Sequence, residues 1–266
     1  MSPLVLSLVL VCVGGLSSAA DVPGSGKTVK KLIKYDAGGS VNTFQHMAAD
    51  TEVVLVRGQR RTALVWEVDE AWAEHVTIDT ARSAKGQLVL DGGAKGTLSC
   101  PTGKSCLNRV TVTLPALSSI RQLGKAGPLS SEDDWATHNK LVVVAQGSGS
   151  VTLKVSAPEV TVLAGHSDVH VTGICVDAVF AYSGVGTWDA RELFSYKVRM
   201  ELPLKGEVLV RPLGQLQILP SKDKRAGKVG YEGDIGVTAP KGTPKGRVYK
   251  IPKKNLRLRT AKKNLW

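Results

Sequence analysis

The chain has 266 residues, 42% of them hydrophobic, 22% charged and only 5% aromatic, with 28 Gly and 12 Pro. That apolar content supplies a real core and excludes wholesale disorder, and the length suits one large all-β domain or two smaller ones. The formal charge of +12 is local: ten of the 35 Lys/Arg and none of the 23 Asp/Glu fall in residues 241–266, so the body is near-neutral and a globally basic nucleic-acid binder is disfavoured.

Leu4 to Leu16 is an uncharged apolar run followed by the small residues Gly14-Gly15-Leu16-Ser17-Ser18-Ala19-Ala20. Ser18 and Ala20 stand at positions −3 and −1 of a cleavage before Asp21, so residues 1–20 read as a secretory signal peptide, although no Lys or Arg precedes the run. The run falls short of the ~20 residues needed to span a bilayer. Val11 before Cys12 argues against a lipoprotein site. Residues 21–43 are expected to be a flexible segment. Within it, Gly24-Ser25-Gly26-Lys27-Thr28 is similar to the end of a phosphate-binding loop, but Asp21 stands where that motif needs its first Gly.

Helical periodicity is scarce. Short runs with period-2 alternation dominate: 52–57, 87–90, 109–114, 141–144, 151–155 and 160–163. Between two of them, Cys100-Pro-Thr-Gly-Lys-Ser-Cys106 encloses a Pro/Gly turn, which in an exported chain favours a local disulfide. Further on, Gly147-Ser148-Gly149-Ser150-Val151, Gly165-His166-Ser167-Asp168-Val169 and Gly184-Val185-Gly186-Thr187-Trp188 repeat one unit, a Gly turn and then an apolar anchor. Looser copies precede and follow. The anchors Leu129, Val151, Val169, Trp188, Val208 and Val229 are 22, 18, 19, 20 and 21 residues apart. A period near 20 is one turn of a solenoid, and without a Leu/Asn framework it predicts an all-β, right-handed parallel β-helix with rungs of about 20 residues. Residues 44–115 form its first turns or an N-terminal β cap. Cys175, in the apolar stretch 171–176, reads as a buried free thiol.

The strand Arg109-Val110-Thr111-Val112-Thr113-Leu114-Pro115 with Leu117, followed by the Gly-Ser-Gly-Ser-Val turn at 147–151, resembles the putative auto-transporter adhesin head GIN domain family. The resemblance runs from about Phe44 to about Pro240, and its Gly-Ser-Gly signature decays after Gly186. It implies a β-helix on an exported protein and brings no catalytic residues with it. The organisation expected is therefore a signal peptide at 1–20, a flexible segment at 21–43, a GIN-like solenoid at 44–240 and a basic tail at 241–266.

Several residue groups are candidate sites. His166, Asp168 and His170 flank a turn, where such residues are common, and lack a fourth ligand, so no metal is expected. Asp168 and Glu207 lie two rungs apart, about 9–10 Å at ~4.8 Å per rung, as one carboxylate pair of the kind a polysaccharide-cleaving β-helix would use. No Ser/His/Asp or Cys/His arrangement accompanies them, so no catalytic residues and no cofactor are expected. Trp188 sits at an anchor and reads as core; Trp72 and Trp135, in polar contexts, are the candidates for stacking on a ligand. In the tail, Lys250, Lys253, Lys254, Arg257, Arg259, Lys262 and Lys263 are the candidate contacts for an anionic glycan or lipid surface. The expectation is an exported β-solenoid, secreted or held in the cell envelope (periplasm or surface), that acts by adhesin-like binding or display without catalysis. A structural envelope protein is the alternative, and an acidic-polysaccharide-processing enzyme the third reading. Neither specific nucleic-acid binding nor a membrane span in the mature chain is expected, and the sequence does not set an oligomeric state.

Overall fold

The alternation at Val151, Leu153, Val155 and Ala157 points one side chain in two to the interior, as a pleated strand dictates. At Pro158-Glu159 the phase shifts by one, and Val160, Val162 and Ala164 become the buried set. That shift is a corner: the strand bends there and keeps burying apolar groups on a second side. In the computed structural model, which describes residues 21–33, 35, 40–58, 62–165, 168–221 and 225–252, this two-sided unit stacks into a parallel β-solenoid of about 6 turns with 60% of the described residues in strands.

The chain enters through β1 (Asp21–Pro23), β2 (Thr28–Ile33), β3 (Thr43–His46), β4 (Glu52–Arg57), β5 (Ala63–Asp69), β6 (Val76–Asp79), β7 (Gln87–Ala94), β8 (Thr97–Ser99) and β9 (Asn108–Leu114). It continues through β10 (Ser119–Gln122), β11 (Leu129–Ala136), β12 (Leu141–Ala145), β13 (Val151–Ala164), β14 (Val169–Tyr182), β15 (Thr187–Met200) and β16 (Glu207–Ile218). The last turns hold β17 (Lys228–Tyr231), β18 (Gly236–Thr238) and β19 (Val248–Lys250). One side of the stack runs β2-β5-β9-β4-β11-β13-β14-β15-β16-β17-β19. The other runs β6-β7-β3-β10-β12-β13-β14-β15-β16-β18. From β10 onward each turn stacks on the one before it in sequence. The N-terminal part does not follow that order: the turn β3-β4 lies between β7 and β9 on one flank and β10 and β11 on the other. Antiparallel β5 and β2 close that end.

The sequence repeat is the stacking register. Leu129 pairs with Val151, Val151 with Val169, Trp188 with Val208 and Val208 with Val229, all buried. On the second side Leu88, Phe44, Ile120, Val143, Val162, Phe180, Met200 and Ile218 form one unbroken inward column. Each such side chain contributes roughly 2 kcal/mol by leaving water. The Gly turns recur because their backbones touch: a Cβ on Gly206 (φ 74°) would overlap the Gly186 carbonyl oxygen.

Residues 21–33 correct the expectation of a flexible N-terminal segment. β1 pairs in parallel with β8, Gly24 N–H donates to Ser99 O at 2.7 Å, and β2 pairs with β5. The loop between them wraps a carboxylate of its own chain. Ser25 N–H and Oγ–H donate to Asp69 Oδ1 at 2.8 and 2.9 Å, and Gly26 N–H donates to Oδ2 at 2.7 Å. Burial alone would raise the Asp69 pKa, but these bonds and one from Ala71 N–H outweigh it and hold the carboxyl below its ordinary value. The loop that resembles a phosphate cradle is thus filled by Asp69.

Two fully buried polar residues sit side by side in the core, Gln122 and His46, paired in register. Gln122 Nε2 donates to Gly127 O at 2.8 Å and Gly149 O at 2.9 Å, stitching two successive Gly turns. Replacing it (Gln122→Ala) leaves both carbonyls unpaired and should lower unfolding free energy by about 2–4 kcal/mol in urea melts. Neither His46 ring nitrogen makes a well-formed hydrogen bond. Burial, opposed in part by the nearby backbone of Gly127 and Thr51, lowers its pKa to about 4. The folded value lies below the unfolded one of ~6.5, so the unfolded chain takes up the proton first and stability falls as pH drops from 6.5 towards 4. Urea melts across that window should show the wild type losing about 3 kcal/mol more than His46→Leu.

Candidate functional site

The corner that follows each first-side strand turns one residue per rung outward. Where β13 bends, this is Pro158; in β14, β15 and β16 the same place holds Val176, Tyr196 and Leu213, each one step beyond the registered set Ala157, Cys175, Ser195 and Pro212. Val176, Tyr196 and Leu213 are 59%, 62% and 61% exposed, and Ile174 beside them is 64% exposed. Ile174 pairs in register with Phe194, whose ring carries the Arg211 guanidinium at 5.1 Å from its centroid. A strand pattern cannot reveal this ridge, because the bend breaks the alternation that assigns side chains to faces.

One end of the ridge opens into a groove of about 400 Å³ lined by Arg57, Ala136, His138, Pro158, Ile174 and Val176. Beneath it lies Cys175, buried as expected; burial chiefly, and Asp177 next, push its thiol pKa up to about 12, so the sulfur is an inert packing group.

The two Trp residues expected to contact a ligand are both buried. Trp72 is 7% exposed and its Nε1–H donates to Val22 O at 2.9 Å, packed between the N-terminal strand and the disulfide. Trp135 is 2% exposed because β11 sets it in register with Val155, on the interior side of its corner, while Asp133 and Asp134 precede it outside the core. Trp188 is core, in edge contact with Phe180 at 5.2 Å between centroids. Cys100 and Cys106 form the expected disulfide across a Cα–Cα distance of 5.7 Å.

Asp168 and His170 line a cleft of about 460 Å³ together with Ser150, Tyr182, Thr187 and Asp189. His170 Nε2 lies 3.2 Å from Glu192, and His166 falls outside the described residues. Glu207 does not line this cleft; its carboxylate accepts from Tyr249 O–H at 2.7 Å. Burial, and then Glu207, push the Tyr249 hydroxyl up to about 12. Among the described residues no group of three or more His, Cys, Asp or Glu is placed to hold a metal ion, and no helix is long and apolar enough to cross a membrane.

Of the basic candidates, Lys250 is exposed on β19 and paired with Asp234; Lys253, Lys254, Arg257, Arg259, Lys262 and Lys263 lie outside the described residues. Lys241 and Lys245 are exposed on the loop before β19. A charged tie holds this region to the turns below: Arg191 on β15 donates to Asp189 and, past β16, to the buried Glu232 at 2.7 Å. Hydrogen bonds to Asp189, then to Glu232, outweigh desolvation and raise the guanidinium pKa further.

The family model described as putative auto-transporter adhesin, head GIN domain, matches residues 46–234. The chain belongs to this family. Among solved structures it is similar to a putative adhesin from Bacteroides fragilis NCTC 9343, at 16% identity and TM-score 0.62 over 86% of this chain and 95% of that one. A putative lipid binding protein from Parabacteroides distasonis ATCC 8503 matches at 13% identity and TM-score 0.58, over 88% of this chain and 100% of the other. A putative adhesin from Parabacteroides merdae ATCC 43184 matches at 17% identity and TM-score 0.56, with 88% and 100% covered. At these identities the shared property is the fold. None of the curated proteins compared with the chain matches it.

Replacing Arg191 by Met strands the Glu232 carboxylate in the interior with only Arg211, at 3.7 Å, beside it. Thermal and urea melts should then report a loss of about 3 kcal/mol, more than Glu232 and Arg191 replaced together.

Proposed function

We propose that this GIN-domain protein is an exported, adhesin-like surface module that binds by contact and performs no catalysis. The observation that carries this reading is the in-register stack. Each turn repeats the outward positions of the last, so the solenoid presents one extended, rigid surface suited to many weak contacts at once. Family membership supports the same role. The apolar run and small-residue site at 1–20 support export to the cell envelope or beyond.

The surface engaged is anionic, an acidic glycan or lipid headgroups, and the basic segment from Lys241 onward is the contact. Ten cations without one acid in residues 241–266 make that end the most positive part of the chain. Each Lys or Arg near an anionic surface is worth about 1 kcal/mol at moderate salt.

The test is binding of the full chain to arrayed acidic glycans and to anionic vesicles at low and high salt. A variant carrying Gln at positions 253, 254, 257, 259, 262 and 263 is compared with the wild type. Wild-type binding that weakens with salt and falls tenfold or more in the variant supports the reading. Binding that is indifferent to both changes removes the basic segment as the contact, and turnover of an acidic polysaccharide would replace the whole reading with the enzyme.

A further inference from the structure

Four of the eight large apolar side chains most exposed in the described structure, Ile174, Val176, Tyr196 and Leu213, lie together on the corner ridge; Leu32, Val185, Leu204 and Val237 lie elsewhere. Exposed singly, such residues need no explanation, but a contiguous row does. We propose that this ridge is a bilayer-contact site that seats its apolar side chains among lipid headgroups and upper acyl chains. This goes beyond the reading above, because it assigns a second contact whose chemistry is apolar and which does not depend on the basic segment.

Three observations select lipid over another protein chain. First, the ridge is small. Two rung steps at ~4.8 Å make it about 10 Å long, and its side chains present roughly 400 Å², about half of what one partner buries in a stable protein interface. Second, its chemistry is interfacial: Tyr196 joins an apolar ring to a polar tip at the middle of the row, with the half-buried Phe194 alongside. Third, the charge around it favours headgroup phosphates. The nearby acids Glu159 and Asp177 are paired with Lys140 and Arg199, Glu192 lies 3.2 Å from His170 Nε2, and Asp134 stands in register with Lys154. Lys154 and Lys197, on the strands flanking the corner, make no ion pair among the described residues. The ridge is also rigid, because alternate residues beneath it are locked in the core, so little side-chain freedom is lost on docking.

The experiment uses the full chain with vesicles of phosphatidylcholine alone and of phosphatidylcholine mixed with phosphatidylglycerol, at high salt. Trp66, Trp72, Trp135 and Trp188 are buried, so a Tyr196→Trp variant that also carries Trp266→Phe in the basic segment reports the ridge itself. Its emission should shift to the blue on vesicles and be quenched by lipids brominated in the upper acyl chain. The variant Ile174→Ser/Val176→Ser/Tyr196→Ser/Leu213→Ser should bind phosphatidylcholine vesicles at least tenfold more weakly with an unchanged melting temperature, because those side chains are solvated already. The six-Gln tail variant should bind phosphatidylcholine vesicles like the wild type, which separates this site from the basic contact. Three results would overturn the proposal: no wild-type binding to phosphatidylcholine vesicles, equal binding by the four-Ser variant, or a wild-type dimer in sedimentation that the four-Ser variant abolishes.

Discussion

Everything in this molecule depends on parallel strands stacked in register, one turn directly above the next. Once strands are ~4.8 Å apart and aligned, a side chain at one position must be compatible with those immediately above and below it. The inward columns answer with Val, Leu, Ile, Phe and Met, and the places where backbones meet answer with Gly. The same constraint works outward. A corner that exposes an apolar residue in one turn exposes the corresponding residues in the next two, which is why Val176, Tyr196 and Leu213 line up without any nearness in sequence.

Several of the polar groups in this core tie separate turns together. Gln122 bridges two Gly turns, Asp69 gathers the N-terminal loop, and Arg191 reaches across a whole rung to Glu232. Each of these bonds holds layers that apolar contact alone would allow to slide, since a column of similar side chains specifies register weakly along its length. Solenoid ends pose the opposite difficulty, an open edge inviting another chain. Here β2 faces outward with Lys30 and Lys31, the first paired to Glu67 and the second lying over the Trp66 ring.

The solenoid was legible because its anchors recur: the spacing of Leu129, Val151, Trp188, Val208 and Val229 is the register itself. The buried Cys175 and the Cys100–Cys106 bridge followed from apolar context and from a turn between two close cysteines. The turns before β10 were not legible in the same way. They combine antiparallel strands with stacking out of chain order, so no constant spacing marks them. Trp72 and Trp135 are buried although their sequence neighbours are polar, because neighbours in sequence need not be neighbours in space: β11 shifts register between Ser130 and Asp134 and sets Trp135 against the buried Val155. The apolar ridge was invisible for a related reason: its members belong to three turns, and only stacking brings them together.

The out-of-order N-terminal turns set a sequence of events in time. β3 and β4 precede both of their flanks, which come from residues 87–114 and 119–136, so that turn is covered on both sides only once about ninety further residues have been made. Beyond β12 the situation reverses. Each new turn lands on a finished one within about 20 residues, a short loop to close, and the stack grows like a zipper from a template already made. Non-local closure is thus concentrated at the N-terminal end, and beyond it the length of the solenoid is set by how many further turns the chain supplies.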